Sequence, residues 1–180
     1  MLSRNRLVKV SKSLSYYLRH HPEELGLTLE VGGWVSVEKL LAVYPFSLSR
    51  EELQEVVDFN DKQRFSFDET GHKIRANQGH SITVDLQLTP TRPPAVLYHG
   101  TAAQWVESIL DRGLQKMSRH HVHLSKDRST AYQVGQRHGK PIVFQVNAAM
   151  MYDRDFTFYQ SKNGVWLVDA VPPEYLTQLS

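Results

Sequence analysis

Arg19-His20-His21 stands between an apolar run and Pro22 in the stretch "LSYYLRHHPEELG". An imidazole titrates near neutrality and can take or give a proton, while a guanidinium is a fixed cation whose planar fork suits phosphate oxygens. Two further arginines stand at the mouths of apparent strands, Arg64 in "NDKQRFSF" and Arg119 in "KMSRHHVHLS". Each alone reads as an ordinary surface residue, and Arg19 as the basic end of a helix facing its dipole. Together the three arginines could meet on one phosphate, with His20 as the acid–base group. A fourth stretch, "YHGT" (residues 98–101), sets an imidazole, a glycine and a hydroxyl at the end of a strand, where a nucleotide could approach the main chain. A satisfied turn explains it equally well.

Other chemistries find no support. The chain has no cysteine, so thiol nucleophiles, disulfides and thiolate metal sites are excluded within it. The GxSxG elbow, Walker A and GxGxxG patterns are missing. His120, His121 and His123 form H-H-x-H, but no carboxylate completes a ligand set and no HExxH helix exists, so no metal is expected.

Elements must hold these residues in place. Val10, Leu14, Tyr17 and Leu18 recur at helical spacing, predicting an amphipathic helix near residues 4–20 that Pro22 stops. "LTLEVGGWVSVEKLL" predicts a short strand, a Gly-Gly turn and a helix begun near Ser36. Ser49 and Glu52 form a capping-box signature ahead of Leu53, Val56 and Val57. "RFSFDETGHKIRA" predicts a hairpin. Helices followed by a hairpin make a winged-helix module. "QLTPTRPPAVL" holds three prolines within residues 90–94 and marks a linker. Beyond it come the strand "VLYHGTA", a helix ended by Gly113, the strand "VHLS", a helix closed by Gly139, the apolar strand "PIVFQVN", and a hairpin turning at Asn163-Gly164. The expected fold is α+β, with one lobe over 1–89 and a second over 90–180.

Bulk properties agree with two small folded lobes: 180 residues, 41% hydrophobic and 10% aromatic. The net charge of +2 identifies no partner, but its distribution does more. The first 21 residues carry Arg4, Arg6, Lys9, Lys12 and Arg19 and no acid, and a second basic set runs through Lys116, Arg119, Lys126, Arg128, Arg137 and Lys140. No signal core or membrane-length apolar stretch is evident, so a soluble cytoplasmic protein without a membrane partner is expected.

The segments "SKSLSYYLRHHP", "GWVSVEKLL", "NDKQRFSF", "IRANQGHSI", "LYHGT", "MSRHHVHLS", "VGQRHGKP" and "FYQSKNGVWL", in this order over nearly the whole chain, resemble the RNA 2′-phosphotransferase family, the tRNA-splicing phosphotransferases and their bacterial relatives. The resemblance implies an N-terminal winged-helix RNA-binding lobe and a C-terminal ADP-ribosyltransferase-like lobe that binds NAD. It implies removal of an internal 2′-phosphate from RNA, with NAD⁺ as co-substrate and no metal. The 2′-phosphate attacks the nicotinamide ribose, and the RNA-2′-phospho-ADP-ribose intermediate transesterifies. The products are 2′-hydroxyl RNA, nicotinamide and ADP-ribose 1″,2″-cyclic phosphate. By the same resemblance, Arg19, His20, Arg64 and Arg119 are the catalytic set. His99, Gly100, Thr101, Leu124, Ser125, Gly135 and Arg137 hold the nucleotide, and Gln78, Gly79, His80 and Ser81 lie near the substrate. The partners implied are RNA bearing a 2′-phosphate and NAD, and a monomer is expected. "SKNGVWLV" has no glutamate where the best-known protein-modifying ADP-ribosyltransferases use one, which favours a phosphate acceptor over a side chain. Two other readings stay open at this level: ADP-ribose transfer to phosphate ends of RNA or DNA, and a non-catalytic winged-helix nucleic-acid binder.

Overall fold

The computed structural model describes residues 1–60 and 62–179, so Asp61 of "NDKQRFSF" and the final serine lie outside the description. The chain mixes helices with small open antiparallel sheets, an α+β arrangement, and forms two compact units, Met1–Gln87 and the remainder from Leu88.

The first unit opens with α1 (Arg4–Arg19), whose N-cap Ser3 accepts a hydrogen bond from the Arg6 amide. Val10, Leu14 and Leu18 return every four residues and are buried, so the helix presents one apolar stripe to the core. Pro22 does stop α1, and it also opens a single 3₁₀ turn over Pro22–Leu25, which Gly26 ends at φ 64°. The strand expected in "LTLE" is absent: that stretch gives only an isolated bridge between Glu30 and Trp34. The strand forms instead after the Gly-Gly turn, as β1 (Val35–Ser36), where Val35 and Ser36 can pair with a later hairpin. Ser36 then caps α2 (Val37–Val43).

The helix α3 (Arg50–Asp58) starts with the full capping box: Ser49 Oγ accepts from the Glu52 amide, and the Glu52 carboxylate accepts from the Ser49 amide. The hairpin consists of β2 (Phe65–Phe67) and β3 (Lys73–Ala76), and with β1 it makes a sheet ordered β1-β3-β2. Its register pairs Phe65 with Ala76 and Phe67 with Ile74. Leu14 and Leu18 of α1, Leu40 of α2, Leu53 of α3, Phe65 and Ile74 close one apolar core.

In the second unit β4 (Leu97–Ala102) leads through a 3₁₀ turn into α4 (Val106–Arg112), which Gly113 ends at φ 74°. The chain continues through β5 (Leu114–Gln115), β6 (Val122–Leu124), α5 (Arg128–Gln136), β7 (Pro141–Val146) and α6 (Ala148–Asp153). It closes with β8 (Tyr159–Gln160), β9 (Trp166–Val168), β10 (Ala170–Val171) and β11 (Leu176–Leu179). The helix expected to close at Gly139 ends earlier, at Gln136, because the next residues turn back into β7.

Two three-stranded sheets, β11-β7-β4 and β6-β9-β8, form this unit's frame, with a separate β10-β5 pair. A reciprocal pair of main-chain bonds joins the two larger sheets: the Tyr98 amide donates to the Ser125 carbonyl at 2.8 Å, and the Ser125 amide to the Tyr98 carbonyl at 2.7 Å. Leu97, Leu124, Phe144, Met151 and Trp166 contribute to the core. No helix among the described residues is long and apolar enough to cross a membrane.

Candidate active site

In the first unit the candidate groups gather where α1 ends. A helix leaves its last carbonyls without internal partners, and the Arg19 carbonyl accepts from the Ser81 amide at 3.0 Å. The Ser81 hydroxyl also meets His20 Nδ1 at 2.7 Å. The same segment supports the arginine: Arg19 Nη2 donates to Gln78 Oε1 at 3.2 Å. Gly79 lies between these two contacts at φ 86°, a conformation that favours glycine, with its missing Cβ position 3.5 Å from the Arg19 guanidinium. Residues 78–81, expected near the substrate, therefore form a brace for Arg19 and His20. His80 of this segment is buried.

Arg64 enters the same region from the hairpin. Its carbonyl accepts from the Asn77 amide at 2.8 Å, extending the β2–β3 ladder to the residue beside Gln78. Its guanidinium Nη1 donates to Asn60 Oδ1 at 3.3 Å, and Asn60 Nδ2 donates to Ser11 Oγ on α1 at 2.9 Å. Asn77 is fixed in turn, donating to the Gln63 carbonyl at 2.7 Å and accepting from Ser66 Oγ at 2.8 Å. Gln63 itself adopts φ 41° just before the strand. A continuous polar chain thus ties Arg64 to the body of α1 and, through Asn77 and Gln78, to the brace under Arg19. His21 departs from this group: its ring stacks on Tyr16 with centroids 4.5 Å apart and its Nδ1 meets Glu23.

In the second unit the candidates centre on the junction of β4 and β6. His99 Nδ1 lies 3.0 Å from the main-chain carbonyl of His123. A carbonyl only accepts, so Nδ1 carries the proton and Nε2 of the neutral ring is an acceptor. Burial is the largest influence holding the His99 pKa below its ordinary value; the nearby Arg119 and His138 charges add to it, and the His123 carbonyl opposes it. Arg119 Nη1 lies 3.0 Å from His123 Nδ1. Burial also lowers the Arg119 pKa, although arginine stays charged.

The remaining candidates separate by physical reason. Gly100 was expected to open the main chain to a ligand, but a Cβ there would stand 1.6 Å from the Ala131 carbonyl oxygen of α5. A Cβ on Gly135 would stand 2.7 Å from the Thr101 carbonyl oxygen. Glycine at both positions therefore serves the close crossing of α5 over β4. Thr101 and Leu124 are buried, the Ser125 main chain is engaged with Tyr98, and Arg137 is exposed beyond the end of α5.

The histidine run disperses, because β6 begins only at Val122. His121 packs edge-on against Tyr159, with ring centroids 5.4 Å apart, while His123 serves Arg119. Among the described residues, no group of three or more His, Asp or Glu could hold a metal ion. Sequence reading missed Asn60 and Asn77 as supports and saw His123 only as a possible ligand. Asn60 also holds Ser11, Asn77 holds Gln63 and Ser66, and the His123 carbonyl holds His99, all well apart in the chain, so spacing gives no signal for these supports.

Chemically, the first unit offers two guanidinium groups and an imidazole held on a common polar frame. The second offers a neutral histidine acceptor beside another guanidinium. Both halves suit anionic or hydroxyl-bearing ligands. Residues 5–170 match the family model described as RNA 2′-phosphotransferase, Tpt1 / KptA family. A protein of Trichormus variabilis, named a probable RNA 2′-phosphotransferase, is 62% identical over 97% of this chain and 98% of its own. A Nostoc punctiforme protein of the same name is 59% identical, over 99% of this chain and 100% of its own. One from Streptomyces griseus is 52% identical over 97% and 98%.

Proposed function

The chain belongs to the RNA 2′-phosphotransferase family, and we propose that it removes an internal 2′-phosphate from RNA with NAD⁺ as co-substrate. The observation that carries this reading is the framing of Arg19, His20 and Arg64 by one polar network, residues 60, 77, 78 and 81. Such a frame preorganises cationic donors for a phosphate and an imidazole for a hydroxyl.

In this reading the first unit is a winged-helix RNA-binding lobe and the second an ADP-ribosyltransferase-like lobe. The second unit's residues fit the co-substrate: His99 is held neutral, with Nε2 as an acceptor suited to a ribose hydroxyl. His99, Thr101 and Ser125 hold the ADP-ribose portion, with Arg137 as a further anion contact. Gly100, Leu124 and Gly135 shape that wall by packing. Bound NAD⁺ supplies an anomeric carbon carrying a good leaving group.

The residues of this chain do the rest. Arg19, Arg64 and Arg119 each supply a guanidinium suited to the oxygens of a 2′-phosphate, and the first step draws mainly on positioning. The RNA-2′-phospho-ADP-ribose that results must then transesterify. His20, its Nδ1 held by Ser81 Oγ, presents Nε2 to the ribose 2″-hydroxyl as general base. The arginines stabilise charge as the phosphorus becomes five-coordinate and the RNA 2′-oxygen leaves. The products are 2′-hydroxyl RNA, nicotinamide and ADP-ribose 1″,2″-cyclic phosphate, and the reaction takes place in the cytoplasm with the protein as a monomer.

The test is an omission experiment with a 2′-phosphorylated oligonucleotide. NAD⁺-dependent loss of the 2′-phosphate, with release of nicotinamide, is expected. Loss without NAD⁺, or persistence of the phosphate with folded protein, overturns the proposal.

A further inference from the structure

We infer that His123 is a positioning residue with two separable tasks: its ring Nδ1 orients the Arg119 guanidinium, and its main-chain carbonyl fixes the His99 tautomer, granted the roles proposed above for Arg119 and His99. Arginine cannot accept a hydrogen bond, so at 3.0 Å from Arg119 Nη1 the His123 Nδ1 must be the acceptor. It is therefore unprotonated, and a neutral His123 carries its proton on Nε2. At the His123 carbonyl the logic runs the other way: His99 Nδ1, 3.0 Å away, must be the donor. One residue thus sets two neighbouring imidazoles in opposite tautomers, its own through its side chain and that of His99 through its backbone.

The strand context makes His123 suited to this. It pairs with Leu167 of β9, a buried residue, and the Tyr98–Ser125 bonds tie down the chain two residues later. Its main chain is therefore fixed on both sides. Arg119 lies at the end of a turn closed by its own amide, which donates to the Lys116 carbonyl at 3.0 Å, with Met117 at φ 54°. The arginine side chain reaches back four residues to a ring on a rigid strand. The Arg119 side chain is exposed, so what the His123 ring supplies is direction rather than shelter from water.

The two tasks can be separated by substitution. H123A removes Nδ1 and keeps the carbonyl, so His99 retains its tautomer while Arg119 loses its guide. H123N restores an acceptor oxygen close to the place of Nδ1. With a 2′-phosphorylated oligonucleotide and NAD⁺ in single turnover, H123A should slow the transesterification step roughly 10- to 100-fold, the range a misplaced catalytic group produces. The ADP-ribosylated RNA should accumulate while the KM for NAD⁺ stays unchanged, and H123N should recover most of the rate.

Equal slowing of both steps, an unchanged second step, or H123N no better than H123A overturns the inference. Imidazole ¹⁵N NMR of the wild-type protein reads the tautomers without any turnover. A bare His123 Nδ1 with a protonated Nε2 supports the assignment, and a proton on Nδ1 overturns it. Should H123A fail to fold, or the wild type release no nicotinamide, that spectrum still decides the role of His123. Absence of wild-type turnover counts against the proposed function instead.

Discussion

Gly100→Ala separates two accounts of the "YHGT" segment. If the glycine serves a ligand, adding a methyl should weaken NAD⁺ binding and leave the fold intact. The geometry says otherwise: the new Cβ would lie 1.6 Å from the Ala131 carbonyl oxygen, whereas a carbon needs about 3.5 Å from a non-bonded heavy atom. The obstacle is helix backbone, which no rotamer change can move aside. Either α5 withdraws from β4 by about 2 Å, losing contact along the crossing where Ala131 and Gly135 pack, or the strand distorts. Overpacking of a core side chain commonly costs 1–3 kcal/mol, so a backbone collision of this size should cost about 3–5 kcal/mol. For a unit of this size that corresponds to a fall in Tm of at least about 12 °C. Circular dichroism melts of wild type, G100A and G135A provide the assay. G135A should be milder, since its Cβ would lie 2.7 Å from the nearest backbone oxygen. A G100A protein melting within about 2 °C of wild type, and impaired only in its KM for NAD⁺, would show that packing is not why glycine stands there.

The pH dependence of stability should reflect His99. Its folded pKa lies below the ordinary value, so on acidification the unfolded chain takes up the proton first; the stability linked to His99 is fully present above about pH 6.5 and is lost as pH falls through the folded pKa. Burial lowers the His121 pKa as well, so H99N should reduce the acid-side slope of unfolding free energy without abolishing it, and an identical slope in H99N contradicts the assignment. S49A removes the side-chain acceptor of the capping box and should cost about 1 kcal/mol by urea titration, unless α3 is held by packing alone. N60A leaves Arg64 without its bond to Asn60 Oδ1; kcat should fall about tenfold through loss of orientation. An unchanged kcat in folded N60A means that Arg64 needs no such guide.

Local chemistry was legible in the sequence. The spacing of Val10, Leu14 and Leu18, the stop at Pro22, and the Ser49–Glu52 box each concern neighbours within a few residues, and each element formed. Asn163-Gly164 also turns the β8–β9 hairpin, with Gly164 at φ 82°. What depended on distant partners was not legible. β1 lies after the Gly-Gly turn because Val35 pairs with Ile74. That Gly100 also admits the close crossing of α5 becomes visible only in the fold. The arginines and histidines drew attention by type, yet their guides did not. Asn60, Ser81 and His123 act through partners that the fold brings to them, the first two far along the chain, and polar residues in loops look alike until those partners are in view.

The most direct test of the central claim follows the phosphorus. With an oligonucleotide carrying a ³²P-labelled internal 2′-phosphate and excess NAD⁺, the label should leave the RNA and appear in ADP-ribose 1″,2″-cyclic phosphate, one for each nicotinamide released. Label that stays on the RNA, or emerges as inorganic phosphate, contradicts the account.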